Sequence, residues 1–235
     1  MDALVRPLEK YQRRLKSLEH LIEGGVGISK RGEPLPEKEL DKTKAFVILA
    51  YAETEDFIEG CSLYLIATIE ELSVRIKGEL KKGKPVSNKQ FAGTLKGCFG
   101  KLVPSQDRRR KDLLDVCAMK PVVDINAANQ AFAFARACLA AKRNEVGKNN
   151  GLNKADLSKL FDKLGFDTEE NFVNLRNDLD LLTTKRSGFA HTGAGYLVSA
   201  AQLLPDPIAE RNFVQQLSRG IEEFVTAFSV LPVLE

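Results

Sequence analysis

The sequence predicts an all-α fold, and three observations carry that expectation. Apolar residues recur at three- and four-residue spacing in one segment after another, which is the period of a helix with one buried face. The stretch from Glu37 to Lys82 contains no proline and is rich in Glu, Ala and Leu, which are good helix formers. No segment shows the period-two alternation and turn pairs of a β-hairpin, and no internal repeat is present. With 43% hydrophobic and 29% charged residues among 235, the chain has enough apolar material to bury a core.

Each element follows from local signals. Leu4 to Glu23 places Leu8, Tyr11, Leu15, Leu18 and Leu21/Ile22 on one face, and Gly24-Gly25 stops the helix. Residues 24–36 (GGVGISKRGEPLP) read as a Gly/Pro loop, so residues 1–36 form an N-terminal helix and loop and residues 37–235 the main helical domain. Glu37 to Lys82 is one long central helix, or two abutting helices with a kink near Gly60. Asn88 to Lys101 and Ser105 to Met119 are two shorter helices separated by Pro104, within a segment of about residues 83–120 that looks inserted. Asp124 or Asn126 caps a helix through Arg143, followed by the polar break NEVGKNN. Asn153 caps KADLSKLFDKLG, and a further helix starts at Thr168, with Glu169 and Glu170 in its first turn, and runs to about Thr184 or Arg186. Gly188 then bends the chain, Tyr196 to Leu204 adds a short helix, and a last helix spans Asp206 to Ser229.

Composition narrows the setting. MDALVRPLEKYQRRLK is charged from its start, without the apolar region of a signal peptide. No run reaches the roughly 18 apolar residues of a membrane helix. The expected setting is the cytoplasm, with no membrane partner. Cys61, Cys98, Cys117 and Cys138 are widely spaced and the chain holds only two histidines, so buried reduced thiols are expected, with no metal site and no cofactor. A net charge of +3 does not by itself advertise nucleic-acid binding, so an RNA surface would have to be a local patch.

The segment LDLLTTKRSGFAHTGAGY carries the most chemistry. Arg186 closes a helix and His191 follows the glycine. Histidine titrates near neutrality and suits transfer of the proton from an RNA 2′-hydroxyl. Arginine keeps its charge, and its planar fork matches phosphate oxygens. Ser187 adds a hydroxyl that could bond to phosphate or orient the imidazole. His20, with Arg13 and Arg14 upstream, repeats the residue types inside an ordinary charged helix and reads as a surface residue. Glu53, Glu55, Asp56 and Glu59 cluster on the central helix. Glu55 either orients Arg186 or His191, or belongs to a solvated face with local salt bridges. Arg108, Arg109, Arg110 and Lys111 form the one dense basic run, either a solvated helix start or, with Lys185, a phosphate-tracking edge.

RSGFAHTG resembles the signature of the HEPN family, Arg-polar-x-x-Ala-His near the end of a helical domain. LNKADLSKLFDKLGF with FVNLRNDLDLLTTKRSGFAHTG resembles the run of two helices into that motif in the RiboL-PSP branch. AFVILAYAETEDFIEG resembles the branch's first core helix, with an aromatic and a glutamate four residues apart at Tyr51 and Glu55, and RNFVQQLSRGIEEFVTAF resembles its closing helix. The resemblance covers roughly residues 40 to 230. It implies a HEPN-like helical bundle that dimerises with two Arg–His motifs in a shared cleft, a role for which the apolar 45–76 segment offers surface. It also implies a metal-independent endoribonuclease, with Arg186 and His191 catalytic and Ser187 and Glu55 supporting. Such proteins act as toxins held by an antitoxin or regulatory protein, or in antiviral defence, and some are inactive modules that bind RNA, a nucleotide or a protein. Ser187 departs from the asparagine most common after the arginine.

Overall fold

In the computed structural model of the chain, the structure describes residues 2–23, 35–82, 125–149, 151–161, 164, 168, 172–190 and 205–228. Every regular element among them is helical. The fold is all-α, as the periodicity predicts. The helices are α1 (Asp2–Leu18), α2 (Glu37–Lys81), α3 (Ile125–Val146), α4 (Lys154–Phe161), α5 (Val173–Ala190) and α6 (Pro207–Phe228), with a 3₁₀ turn at Glu19–Leu21. Among the described residues no helix is long and apolar enough to cross a membrane. The predicted 24–36 loop (but for its last two residues), the helices within 83–120 and the Tyr196–Leu204 segment lie outside the described residues.

Helix α2 is one uninterrupted helix of 45 residues, about 67 Å long at 1.5 Å per residue. It passes through Gly60, where an added Cβ would meet nothing within 4 Å, so the glycine is neither a break nor a packing requirement. The Pro36 carbonyl accepts from the N–H groups of Glu39 and Leu40 at 2.9 and 3.0 Å, which closes the first turn.

The described residues fall into two compact units. The first draws on Met1–Ile58, Gly151–Lys154 and Phe172–Ala227. Its core combines Tyr11 and Leu15 of α1, Phe46, Val47, Ala50, Phe57 and Ile58 of α2, Leu175, Leu179 and Leu182 of α5, and Leu217, Ile221 and Phe224 of α6. The Tyr11 ring stacks on Phe57 at 4.7 Å, and its hydroxyl shares a 3.1 Å hydrogen bond with Thr54. Phe172 meets Phe224 edge-on at 5.0 Å. The Asp206 carboxylate accepts from the N–H groups of Ile208 and Ala209 at 2.9 and 3.0 Å, ahead of Pro207 at the first helical position. That is an N-cap with a residue whose missing N–H needs no partner, and it starts α6 where the sequence predicts.

The second unit draws on Glu59–Asn150, Ala155–Asn171 and Phe228–Glu235. Here Cys61, Leu65, Ile66 and Ile69 of α2, Leu139 and Val146 of α3, and Leu157, Leu160 and Phe161 of α4 are buried. Helix α3 extends past Arg143 to Val146 because Leu139, Lys142 and Val146 fall on one buried stripe. Lys142 is fully buried on that stripe, and its ammonium donates to the Lys159 carbonyl and, at 3.1 Å, to Glu145. Buried lysines require such partners.

Helix α5 departs from expectation at both ends. It begins at Val173 rather than Thr168. Thr168 is itself buried, and its hydroxyl shares a 3.4 Å bond with Ser158 within the second unit. At the other end there is no bend at Gly188, and the helix continues to Ala190. Phe189 supplies the reason. It is buried seven positions after Leu182 on the stripe of Leu175, Leu179 and Leu182, and its anchorage outweighs the roughly 1 kcal/mol that a helical glycine costs.

Candidate active site

Arg186 sits four positions after Leu182 and three before Phe189, so it occupies a position on the apolar stripe of α5. The side chain is nonetheless exposed, at the edge of that stripe. Its guanidinium lies over the ring of Tyr51 on α2, 5.3 Å from the centroid, within cation–π range. One turn along α2, Glu55 accepts a hydrogen bond from the Tyr51 hydroxyl at 3.4 Å. Two helices distant in the sequence thus bring Arg186, Tyr51 and Glu55 together.

The electrostatics of the trio define what each group can do. Burial pushes the Tyr51 phenol up to about 12, and the negative charge of Glu55 and the hydrogen bond to it push the same way. Arg186 and a backbone hydrogen bond at Leu152 pull in the opposite direction. Tyr51 therefore stays protonated throughout the neutral range and acts as a donor. Arg186 is exposed, and among the described residues it has no hydrogen bond or ion pair. Its guanidinium carbon lies over the ring, and its N–H groups, which suit an oxyanion, have no partner among the described residues.

The neighbouring Lys185 has a different environment. Its ammonium pairs with Glu210 of α6 at 2.5 Å and lies 5.5 Å from the centre of the Phe213 ring. The side chains are 18% and 4% exposed, so this is a largely buried pair. Ser187 is half-buried, one residue on. His191 directly follows the last residue of α5 and lies outside the described residues, as do Arg108, Arg109 and Arg110.

The remaining acids of the α2 cluster have structural partners. Arg14 of α1 bonds Glu53 at 2.7 Å and approaches Asp56 to 3.8 Å. Glu59 accepts from Asn149 at 3.0 Å. Glu55 is thus the member of the cluster that faces Tyr51. His20 is exposed, with a ring nitrogen against the Ser17 carbonyl, in keeping with a surface residue. Among the described residues, no group of three or more His, Cys, Asp or Glu side chains is placed to hold a metal ion. Cys61 is buried and its thiol is pushed up to about 12, while Cys138 is half-buried and also raised by burial. Cys98 and Cys117 lie outside the described residues.

Sequence reading paired Glu55 with Arg186 or His191 directly and did not assign Tyr51 a contact with the arginine. A usable signal was present: an arginine on an otherwise apolar stripe needs a neighbour that accepts a cation, and an aromatic ring does so. The same signal marks Glu210, which stands on the α6 stripe of Val214, Leu217, Ile221 and Phe224.

Fold and site together describe an all-α protein with an open guanidinium held on a protonated tyrosine. No family model matches the chain, and no curated protein or solved structure matches it.

Proposed function

We propose that the protein is a HEPN-type endoribonuclease that cleaves RNA without a metal ion. The observation that carries this reading is the Arg186–Tyr51–Glu55 trio, in which the guanidinium lies over the Tyr51 ring and the Tyr51 hydroxyl donates to Glu55, the aromatic and the glutamate of the segment that resembles the family's first core helix. In the proposed reaction His191 takes the proton from a 2′-hydroxyl as that oxygen attacks the adjacent phosphorus. The bond from phosphorus to the 5′-oxygen breaks, and the leaving oxygen receives a proton. The products are a 2′,3′-cyclic phosphate and a 5′-hydroxyl. Arg186 stabilises the charge that builds on the phosphoryl oxygens, a role suited to its open N–H edges. Tyr51 and Glu55 position the guanidinium, and Ser187 adds a hydroxyl beside it. The protein works as a cytoplasmic homodimer in a toxin or phage-defence setting, with an antitoxin or regulatory protein as a partner.

The test is cleavage of single-stranded RNA by the purified full chain in EDTA. The expected result is cyclic-phosphate ends, no cutting of DNA of the same sequence, and a loss of about 10²- to 10⁴-fold in rate for His191→Ala. A strict requirement for added Mg²⁺, or full activity in His191→Ala, would overturn the assignment. RNA binding without cleavage would make the protein an inactive binding module of the same fold.

A further inference from the structure

The second unit carries a cleft of about 250 Å³ between α2 and α3, lined by Glu70, Ser73, Val74, Lys77, Arg136 and Leu139. This is just below the roughly 300–1,000 Å³ usual for ligand sites, so it has room for one small molecule or the terminal unit of a chain, and not for a longer run. Its charges do not cancel. Glu70 is held by Arg143 at 2.7 Å, and the Ser73 hydroxyl donates to the Ile69 carbonyl at 2.8 Å. Lys77 and Arg136, one from each helix, have no hydrogen bond or ion pair among the described residues. The apolar wall is formed by buried Leu139 and by Val74, which is 65% exposed and so available to a ligand.

We propose that this cleft binds a phosphomonoester with an apolar or aromatic body of about nucleoside size, its phosphate between Lys77 and Arg136 and its body against Val74 and Leu139. Charge selects the headgroup. A phosphomonoester carries close to two negative charges at neutral pH, matching one lysine and one arginine, whereas a carboxylate or an internal phosphodiester carries one. The arginine fork grips two phosphate oxygens while the lysine acts as a point charge. Covering Val74 adds the apolar contribution that inorganic phosphate lacks. The ligand is either a free nucleotide or the phosphorylated end of a nucleic acid, since both present the same chemistry. This site is independent of Arg186 and of the ribonuclease reading.

The test is calorimetric titration of the full chain with adenosine 5′-monophosphate, adenosine and inorganic phosphate, and with 5′-phosphorylated and 5′-hydroxyl oligodeoxynucleotides. Adenosine 5′-monophosphate or the phosphorylated oligomer should bind more tightly than its unphosphorylated counterpart and than inorganic phosphate. Binding of the monophosphate alone identifies a free nucleotide, and binding of the oligomer alone identifies a nucleic-acid end. Lys77→Gln with Arg136→Gln should weaken binding by about tenfold or more, and Val74→Asp should weaken it as well. Arg186→Ala should leave it unchanged. If the double variant loses helicity by circular dichroism, Lys77→Gln alone takes its place. The proposal fails if phosphorylated and unphosphorylated probes bind alike, if the folded charge variants bind as well as the parent, or if Arg186→Ala abolishes binding.

Discussion

Lys185 and Arg186 are adjacent on α5, and each places a cation against an aromatic ring with a carboxylate nearby. Around Lys185 the arrangement is closed. The ammonium meets Glu210 directly, and the second oxygen of Glu210 is buried with no hydrogen-bond partner among the described residues. Around Arg186 it is open. Glu55 bonds the tyrosine rather than the arginine, and among the described residues the guanidinium meets the ring and no hydrogen-bond or ion-pair partner. The contrast separates two uses of one arrangement: a cation that meets its carboxylate inside the fold holds helices together, and one placed over a ring remains able to meet an anion from outside.

Stability measurements give the largest expected effect on that comparison. Lys185→Ala leaves Glu210 buried without its cation, and truncating one member of such a pair costs about 3 kcal/mol or more. Arg186→Ala removes only a contact with a ring at an exposed site, worth about 0.5–1 kcal/mol. Urea denaturation should therefore show a large fall in midpoint for the first variant and a small one for the second. Equal losses would erase the distinction between closed and open.

A smaller effect concerns the ring itself. A double-mutant cycle of Tyr51→Leu with Arg186→Ala should give a coupling of about 0.5–1 kcal/mol, whereas Tyr51→Phe, which retains the aromatic face, should leave most of it intact. Coupling that vanishes in Tyr51→Phe would show that the hydroxyl, not the ring, holds the guanidinium.

A further effect, confined to strongly alkaline solution, is a dependence on pH. Unfolded, Tyr51 loses its proton near its ordinary value of 10.0, while in the fold it holds the proton to about 12. Above pH 10 the unfolded state therefore binds fewer protons, and stability declines with rising pH through the window from 10 to 12. Cys61, also raised to about 12, adds to the same slope. Tyr51→Phe should reduce the slope by removing one of these groups, and an unchanged slope would place the phenol in a more solvated setting than its contacts imply.

Much of the fold was legible because its helices obey the 3.6-residue period. The Tyr11 and Leu15 face of α1, the proline-free span of α2 and the Asp206-Pro207 start of α6 all follow from residue types at fixed offsets. The ends of α5 were misread for a physical reason. Local signals at Thr168 and Gly188 compete with tertiary anchorage, and the burial of Thr168 and Phe189 depends on partners the local sequence does not name. The trio was half legible. The spacing of Tyr51 and Glu55 puts them on one side of α2, but that Arg186 reaches the ring follows from its place on the stripe of α5. The pairing of Lys185 with Glu210 was hidden, since nothing near either residue identifies the other.

The stripe position of Arg186 has an evolutionary consequence. Leucine or methionine there would keep the helix and its run of Leu175, Leu179, Leu182 and Phe189, giving up only the ring contact of an exposed side chain. A single base change converts many arginine codons to leucine, so the fold offers an open route by which the charge could be lost without harm to folding. Natural selection for stability would resist that drift only weakly, by the contact with the ring. Selection for what a guanidinium does would hold an arginine at this position far more firmly, and a lineage released from such a demand would be expected to lose the charge while keeping its helices.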